Sequence, residues 1–408
     1  MNILKNILAY SFLICLFAAP LTINATHIVG GQLSYTCLGN DQYEVTLIVR
    51  RDCENGADDA PLDDPATVGI FDAFGFLQAA IGDAGRLEMP LSETRIINSS
   101  LSADCRFNPN DGNVCVEEAI YRGVITLPYN KRGYILAYQR CCRNNILTNI
   151  ENPLETGTTF FSEITPQALL ECNSQPQFGD FPEIYVCVGE KFTFTHTAVD
   201  PDGDQLVYRL CTPSAGASID NPDPFVPSTP PYNTIVWSNG FSTSDMFGPA
   251  GNFTLDDMTG MTMATPSITG TYLIGICVDE FRDGELLSTV RRDFEYNVVS
   301  CQEPIVPDCE LTGNNCDGDN TISFINRSTG ADSYRWNFDY PNTDPAFTST
   351  TPSPTFTYPA PGKYTVRKEA VRDADGCYVA REFELSVGGQ PLNADFNAEF
   401  VSCEDARI

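Results

Sequence analysis

Short stretches in which apolar and polar residues alternate recur along most of the chain, with Gly, Pro, Asn and Asp gathered between them. A period of two puts every second side chain on one face, so each stretch predicts a strand half-buried against a core. QLSYTC (Gln32 to Cys37) and YEVTLIVR (Tyr43 to Arg50) are two such runs, and LGND (Leu38 to Asp41) between them predicts a hairpin turn. TYLIGICV, from Thr271 to Val278, predicts a further strand. Helical periodicity is nearly absent; ITPQALLEC, from Ile164 to Cys172, has room for one short turn of helix. The pattern predicts an all-β chain of several sandwich modules in a row.

With 408 residues, two to four domains are expected. Pro and Gly gather in QPQFGDFPE (Gln175 to Glu183) and CQEPIVPDC (Cys301 to Cys309), which read as boundaries. The expected division is a leader at 1–25, an N-terminal disulfide-rich β domain at 26–178, a sandwich at 179–302 and a second sandwich at 303–388. Residues 389–408 read as the start of a further module cut short.

The leader is a signal peptide by its build. Lys5 is the one charge ahead of an apolar run from Ile7 to Leu21, and small Ala25 closes the segment, so cleavage is expected between Ala25 and Thr26. The run is shorter than the roughly 20 residues a spanning helix needs, which argues for export without membrane insertion. Sixteen cysteines fit that placement. None forms the CxxC pair that structural zinc sites favour, so a disulfide framework is expected. Cys141 and Cys142 are neighbours and should each staple a different strand, while Cys105 and Cys115 bracket a turn-rich loop that a local bridge could close. The cysteine count after the leader is odd, and Cys403 near the end is left without an evident partner.

A formal charge of −30 argues against nucleic acid and anionic membrane, both of which reward clustered Lys and Arg, and makes divalent cations natural counter-ions. Most of these carboxylates simply solvate an exported surface. The clustered ones in AVDPDGDQLVYRL, from Ala198 to Leu210, are different. Asp200, Asp202 and Asp204 alternate along a loop with Gly203 at the turn, so three carboxylates can converge on one hard cation. An EF-hand opens the same way, but it needs Gly at its sixth position and Glu at its twelfth; Gln205 and Cys211 stand there, and the EF-hand is rejected. DCENGADDAPLDD (Asp52 to Asp64) lacks regular spacing and reads as a solvated loop, and the CDGD (Cys316 to Asp319) and DADG (Asp373 to Gly376) segments read as β-turns.

The DPDGD loop, together with FTLDDMTG (Phe253 to Gly260) and GTYLIGICVDE (Gly270 to Glu280), resembles cadherin-like and bacterial immunoglobulin-like repeats over about Pro182 to Ser300. The resemblance implies calcium held by Asp200, Asp202, Asp204 and Asp279, with Asp256 and Glu280 as further candidates, and it places Cys211 and Cys277 on neighbouring strands as a disulfide pair. TISFINRSTG (Thr321 to Gly330), YRWNFD (Tyr334 to Asp339) and PTFTYPAPGKYTVRKEAV (Pro354 to Val371) resemble a PKD domain with Trp336 plugging its core; DYPNTDP replaces the usual GDG turn after WNF. Taken with THIVGGQLSYTCLGND and YQRCCRN at the front, the whole looks like the large gliding-motility-associated, type IX-secreted surface proteins of Bacteroidota. That implies a secreted or cell-surface structural and adhesion role, with other surface proteins, surface polysaccharide or further copies of the chain as partners.

IVGG at Ile28 to Gly31 imitates the activated N-terminus of trypsin-like proteases, but the rest of that enzyme is missing. The chain has two histidines, His27 and His196, and no GDSGG, so no Ser-His-Asp set can be assembled and no enzymatic activity is expected of these residues. Two other readings stay open: non-catalytic modules of a larger exported hydrolase, and sugar binding by Phe225, Tyr232 and Trp237 in the proline-rich stretch from Asn221 to Trp237.

Overall fold

Gly39, Asn40 and Asp41 hold φ of 85°, 53° and 59°, the left-handed region that these residue types reach at least cost. They fold β1 (Ile28–Gly39) back onto β2 (Gln42–Asp52), the hairpin expected from LGND. The computed structural model describes residues 27–53, 61–97, 105–107, 115–313 and 320–388. The leader, Cys316 to Asp319, Cys403, the final segment and the middle of the Asp52 to Asp64 loop lie outside them.

After the hairpin come β3 (Ala66–Phe71), β4 (Arg86–Met89), β5 (Leu91–Ile97), β6 (Val116–Thr126), β7 (Tyr134–Arg140) and β8 (Thr158–Ile164). Among the described residues the one α-helix, α1 (Pro166–Glu171), starts with Thr165 accepting the Ala168 amide and sits where ITPQALLEC predicts a helical turn. Then follow β9 (Gln177–Phe178), β10 (Tyr185–Cys187), β11 (Phe192–Thr195), β12 (Ala198–Val199), β13 (Gln205–Leu210), β14 (Thr254–Leu255), β15 (Met261–Ala264), β16 (Gly270–Arg282) and β17 (Glu285–Val299). The last group is β18 (Cys309–Thr312), β19 (Thr321–Asn326), β20 (Ser333–Asn337), β21 (Thr348–Ser349), β22 (Thr355–Thr357), β23 (Gly362–Val371) and β24 (Tyr378–Val387). The chain is all-β, as the alternation predicts.

The strands form two units, one from residues up to Asn98 plus Asn113–Val298, the other from Ser99–Gly112 plus Val299 onward. The first is organised by one long sheet of order β13-β16-β17-β1-β2-β6-β5, with β10 added on β17. One half of that sheet packs on β4-β3-β7-β8 around Leu33, Tyr35, Val45, Leu47, Val68, Ile70, Tyr121 and Phe160. The other half packs around Phe247, Phe253, Ile274, Ile276, Val278, Phe294 and Tyr296, with Phe192 of the small β11-β15-β14 sheet against it. Two sandwiches therefore share one sheet through the antiparallel pairing of β1 with β17, in which Gly31 faces Asp293. The boundary expected at 178/179 does not separate two units, because this strand pair crosses it.

That seam leaves no room for a side chain at Gly30 or Gly31 of β1. A Cβ on Gly30 would lie 2.2 Å from the Asp293 carbonyl oxygen, and one on Gly31 2.3 Å from that of Ile48. The IVGG sequence is thus a packing requirement of the shared sheet.

The second unit is a sandwich of β18-β19-β22 against β21-β20-β23-β24. Trp336 is buried in its centre with Phe324 and Phe338, the plug expected from YRWNFD. Ser99–Gly112 joins this unit although it interrupts the sequence of the first: Cys105 is buried in the same core, and the Gln302 amide donates to the Arg106 carbonyl at 2.8 Å.

The bridges are Cys37–Cys172, Cys53–Cys115, Cys105–Cys377, Cys141–Cys142 and Cys211–Cys277, and Cys187 and Cys301 are also disulfide-bonded. Two expectations are corrected. Cys141 and Cys142 bridge each other, because a cis peptide bond between them brings their Cα atoms to 3.0 Å. Cys105 and Cys115 do not close a local loop. The β2–β6 register sets Asp52 opposite Val116, so Cys115 faces Cys53 across the strands, while Cys105 belongs to the other unit and bridges Cys377. Cys211 follows β13, whose pairing with β16 sets Leu210 opposite Ile276, and that register delivers it to Cys277.

Candidate functional site

The DPDGD loop joins β12 to β13. Asp200 shapes it: its Oδ1 accepts the backbone amides of Asp202 (2.9 Å) and Asp204 (3.0 Å), and Gly203 supplies the φ of +87° that the turn requires. The result is a cluster in which carboxylate oxygens of Asp200, Asp202 and Asp204 lie within 4.8 Å of one another. Asp202 Oδ2 accepts the Ser174 amide at 2.7 Å, which ties the loop to the segment after α1.

A cation of the protein's own already stands beside the cluster. Arg282 donates from Nε to Asp204 at 2.8 Å and from Nη2 to its other oxygen, and it also reaches Asn173 (2.7 Å) and Glu171. Those bonds hold the Asp204 carboxyl below the usual carboxylate range and raise Arg282 above the ordinary guanidinium value.

Asp279 is not part of the site. In the β13–β16 register Val207 faces Asp279 and Leu206 faces Glu280, and adjacent residues of a strand point to opposite sides. Asp279 therefore turns away, takes a two-point ion pair from Arg209 (2.6 and 3.2 Å) and accepts Thr289 Oγ1 at 2.7 Å. Glu280 takes the inward place. It is fully buried, accepts the Ser288 hydroxyl on Oε2, and has no hydrogen-bond partner on Oε1. Burial, aided by the neighbouring Asp200 charge, pushes its carboxyl up to about 8. Asp256 is committed to its own turn, accepting the Met258 and Thr259 amides and the Thr259 hydroxyl.

A hard divalent cation fits this donor set. All candidate ligands are oxygens, and two of them, Asp200 Oδ2 and Glu280 Oε1, are buried without a hydrogen-bond partner.

The remaining candidates resolve into structure. His196 is fully buried between Phe194 and Phe294 (ring centroids 4.8 and 5.3 Å), with both ring nitrogens unpartnered; burial and the Arg292 charge lower it to about 3. In the DADG turn Asp375 accepts the Cys377 amide and Asp373 the Ser333 hydroxyl. Phe225, Tyr232 and Trp237 do not form a shared platform: Phe225 lies on Arg86 at 3.7 Å, Tyr232 on Phe161 at 5.0 Å, and Trp237 against the Leu147, Ile150, Ile235 and Leu273 cluster.

No family model and no curated protein matches the sequence. Among solved structures, the chain is similar to the PKD1 domain of Vibrio anguillarum Epp (22% identity, TM-score 0.18, 22% of this chain and 98% of that one). It is also similar to the PKD1 domain of the Vibrio cholerae metalloprotease PrtV (24%, 0.17, 20% and 95%) and to fibronectin(III)-like modules of Clostridium thermocellum CbhA (10%, 0.17, 55% and 100%). Among the described residues no helix is long and apolar enough to cross a membrane.

Proposed function

We propose that this chain is a secreted or cell-surface scaffold: an array of disulfide-stapled β-sandwiches that serves adhesion, in keeping with its resemblance to gliding-associated, type IX-secreted surface proteins, and that performs no catalysis. The observation that carries the proposal is the set of bridges joining strands far apart in sequence, with separations of 62, 66, 135 and 272 residues, a pattern suited to an oxidising compartment. Other surface proteins, surface polysaccharide or further copies of the chain are the partners this reading calls for.

Calcium is part of the proposal. Asp200, Asp202, Asp204 and Glu280 would hold the ion, and its charge would offset carboxylates that Arg282 alone does not neutralise. Binding to the folded state alone stabilises it, by about 2.7 kcal/mol when free calcium is 100 times its dissociation constant. Melting should therefore shift upward with calcium and return with EDTA. Asp200→Asn and Glu280→Gln should abolish the shift, and Asp279→Asn should leave it intact. Superimposable curves with calcium and with EDTA would remove the metal from the proposal.

A further inference from the structure

Two bridges connect the ends of the chain by a short cut. Cys53–Cys115 spans 62 residues, Cys105–Cys377 spans 272, and Cys105 and Cys115 are ten positions apart in the sequence. A covalent route from Thr26 therefore runs to Cys53, across to Cys115, back to Cys105, across to Cys377 and on to Ile408. It contains about 70 residues of backbone, on the order of 250 Å at full extension, whereas the open chain of about 380 residues would reach on the order of 1,300 Å. No unfolding event can lengthen a molecule beyond its shortest covalent route.

We infer that the disulfide connectivity makes this chain a strain-limited tether, in which tension between its ends bypasses residues 54–104 and 116–376. The bypassed residues include the Asp200 to Asp204 loop, β16 and the Trp336 core. Of the described strands, β1, β2 and β24 stay on the loaded route, and among them β24 is the edge strand of its sheet, paired with β23 alone. Its release gives the route a little slack without opening what lies behind Cys377. The local structure holds the clamp: Arg372 donates to the Cys105 carbonyl, and Cys105 is 3% exposed. The inference follows from connectivity and stands whether or not the chain is an adhesive scaffold; only its use as an anchor rests on that reading.

Single-molecule pulling tests it, with one handle ahead of Thr26 and the other after Ile408. Oxidised protein should stop extending near 250 Å, and the same protein pulled in dithiothreitol should lengthen about five-fold further. The Cys105→Ser/Cys377→Ser variant, oxidised, should pass the native limit by more than half. Oxidised native protein that extends by many hundreds of ångströms, or a limit unmoved by reductant, overturns the inference. Because the reduction arm uses the native chain, a variant that failed to fold would leave the test standing.

Discussion

The sandwich around Trp336 and the long shared sheet of the first unit bury different chemistry. In the former, Phe324, Trp336, Phe338, Phe356 and Tyr358 pack ring on ring, with centroids 4.3 to 6.3 Å apart, and Lys368 lies over Trp336 at 4.8 Å, its ammonium pKa lowered to about 8 by burial. In the latter, charges line both faces of the β1–β17 seam. On one face Arg292 donates to Gln32 (2.7 Å) and to the carbonyls of Gly179 and Asp180, between the rings of Phe178 and Phe181. On the other, Arg143 pairs with Asp293 at 2.8 Å, and Asn144 reaches Asp52 and Glu295. An aromatic core tolerates substitutions that keep its volume and its buried face. A charged seam is satisfied in one register, since a slip by one residue would exchange the faces of Arg292 and Asp293.

The contrast can be broken from either side. Trp336→Ala should cost most, about 4 kcal/mol from lost burial and the cavity left behind, and calorimetry should show it as a lowered transition of the second unit. Arg143→Ala should cost about 3 kcal/mol, because it strands Asp293 and Glu295, whose carboxyls burial already holds above the usual range. Arg143→Met with Asp293→Leu should recover much of that loss in urea melts; if the double variant is as unstable as the single, charge pairing is not what the seam requires.

Acid offers a third handle. Folded His196 stays neutral down to about pH 3, whereas an unfolded histidine protonates near 6.5. Between those values the unfolded chain binds the extra proton, so stability falls as pH drops, by about 2 kcal/mol from pH 7 to pH 5. His196→Leu should flatten this slope in pH-dependent melts. The smallest effect belongs to the surface: Arg209→Ala, which breaks an ion pair whose arginine is 46% exposed, should change stability by less than about 1 kcal/mol.

Alternation made the strands readable, and LGND and ITPQALLEC mark their turn and helix because the required backbone conformations are local. The choice between Asp279 and Glu280 was not readable. From Thr271 to Val278 β16 is buried on both faces, so its sequence carries no alternation to tell which residue turns toward the DPDGD loop; only the register with β13 decides. The cysteine pairs divide in the same way. Cys211 and Cys277 follow from one strand pair, but Cys105 meets Cys377 through a segment that leaves one unit for the other, and nothing local announces that. The boundary near residue 178 misled because a Pro- and Gly-rich stretch marks a change of direction as readily as a change of domain.

The seam between β1 and β17 also sets a timetable. Gln32 and Arg292 meet across 260 residues of sequence. At roughly 5–20 residues per second, a growing chain would need on the order of ten seconds to a minute to make the second strand after the first. Throughout that interval the first hairpin carries an open edge able to pair with any passing strand. Whatever guards this chain before it folds must cover that edge first, and a truncation ending before Arg292 should aggregate where the full chain does not.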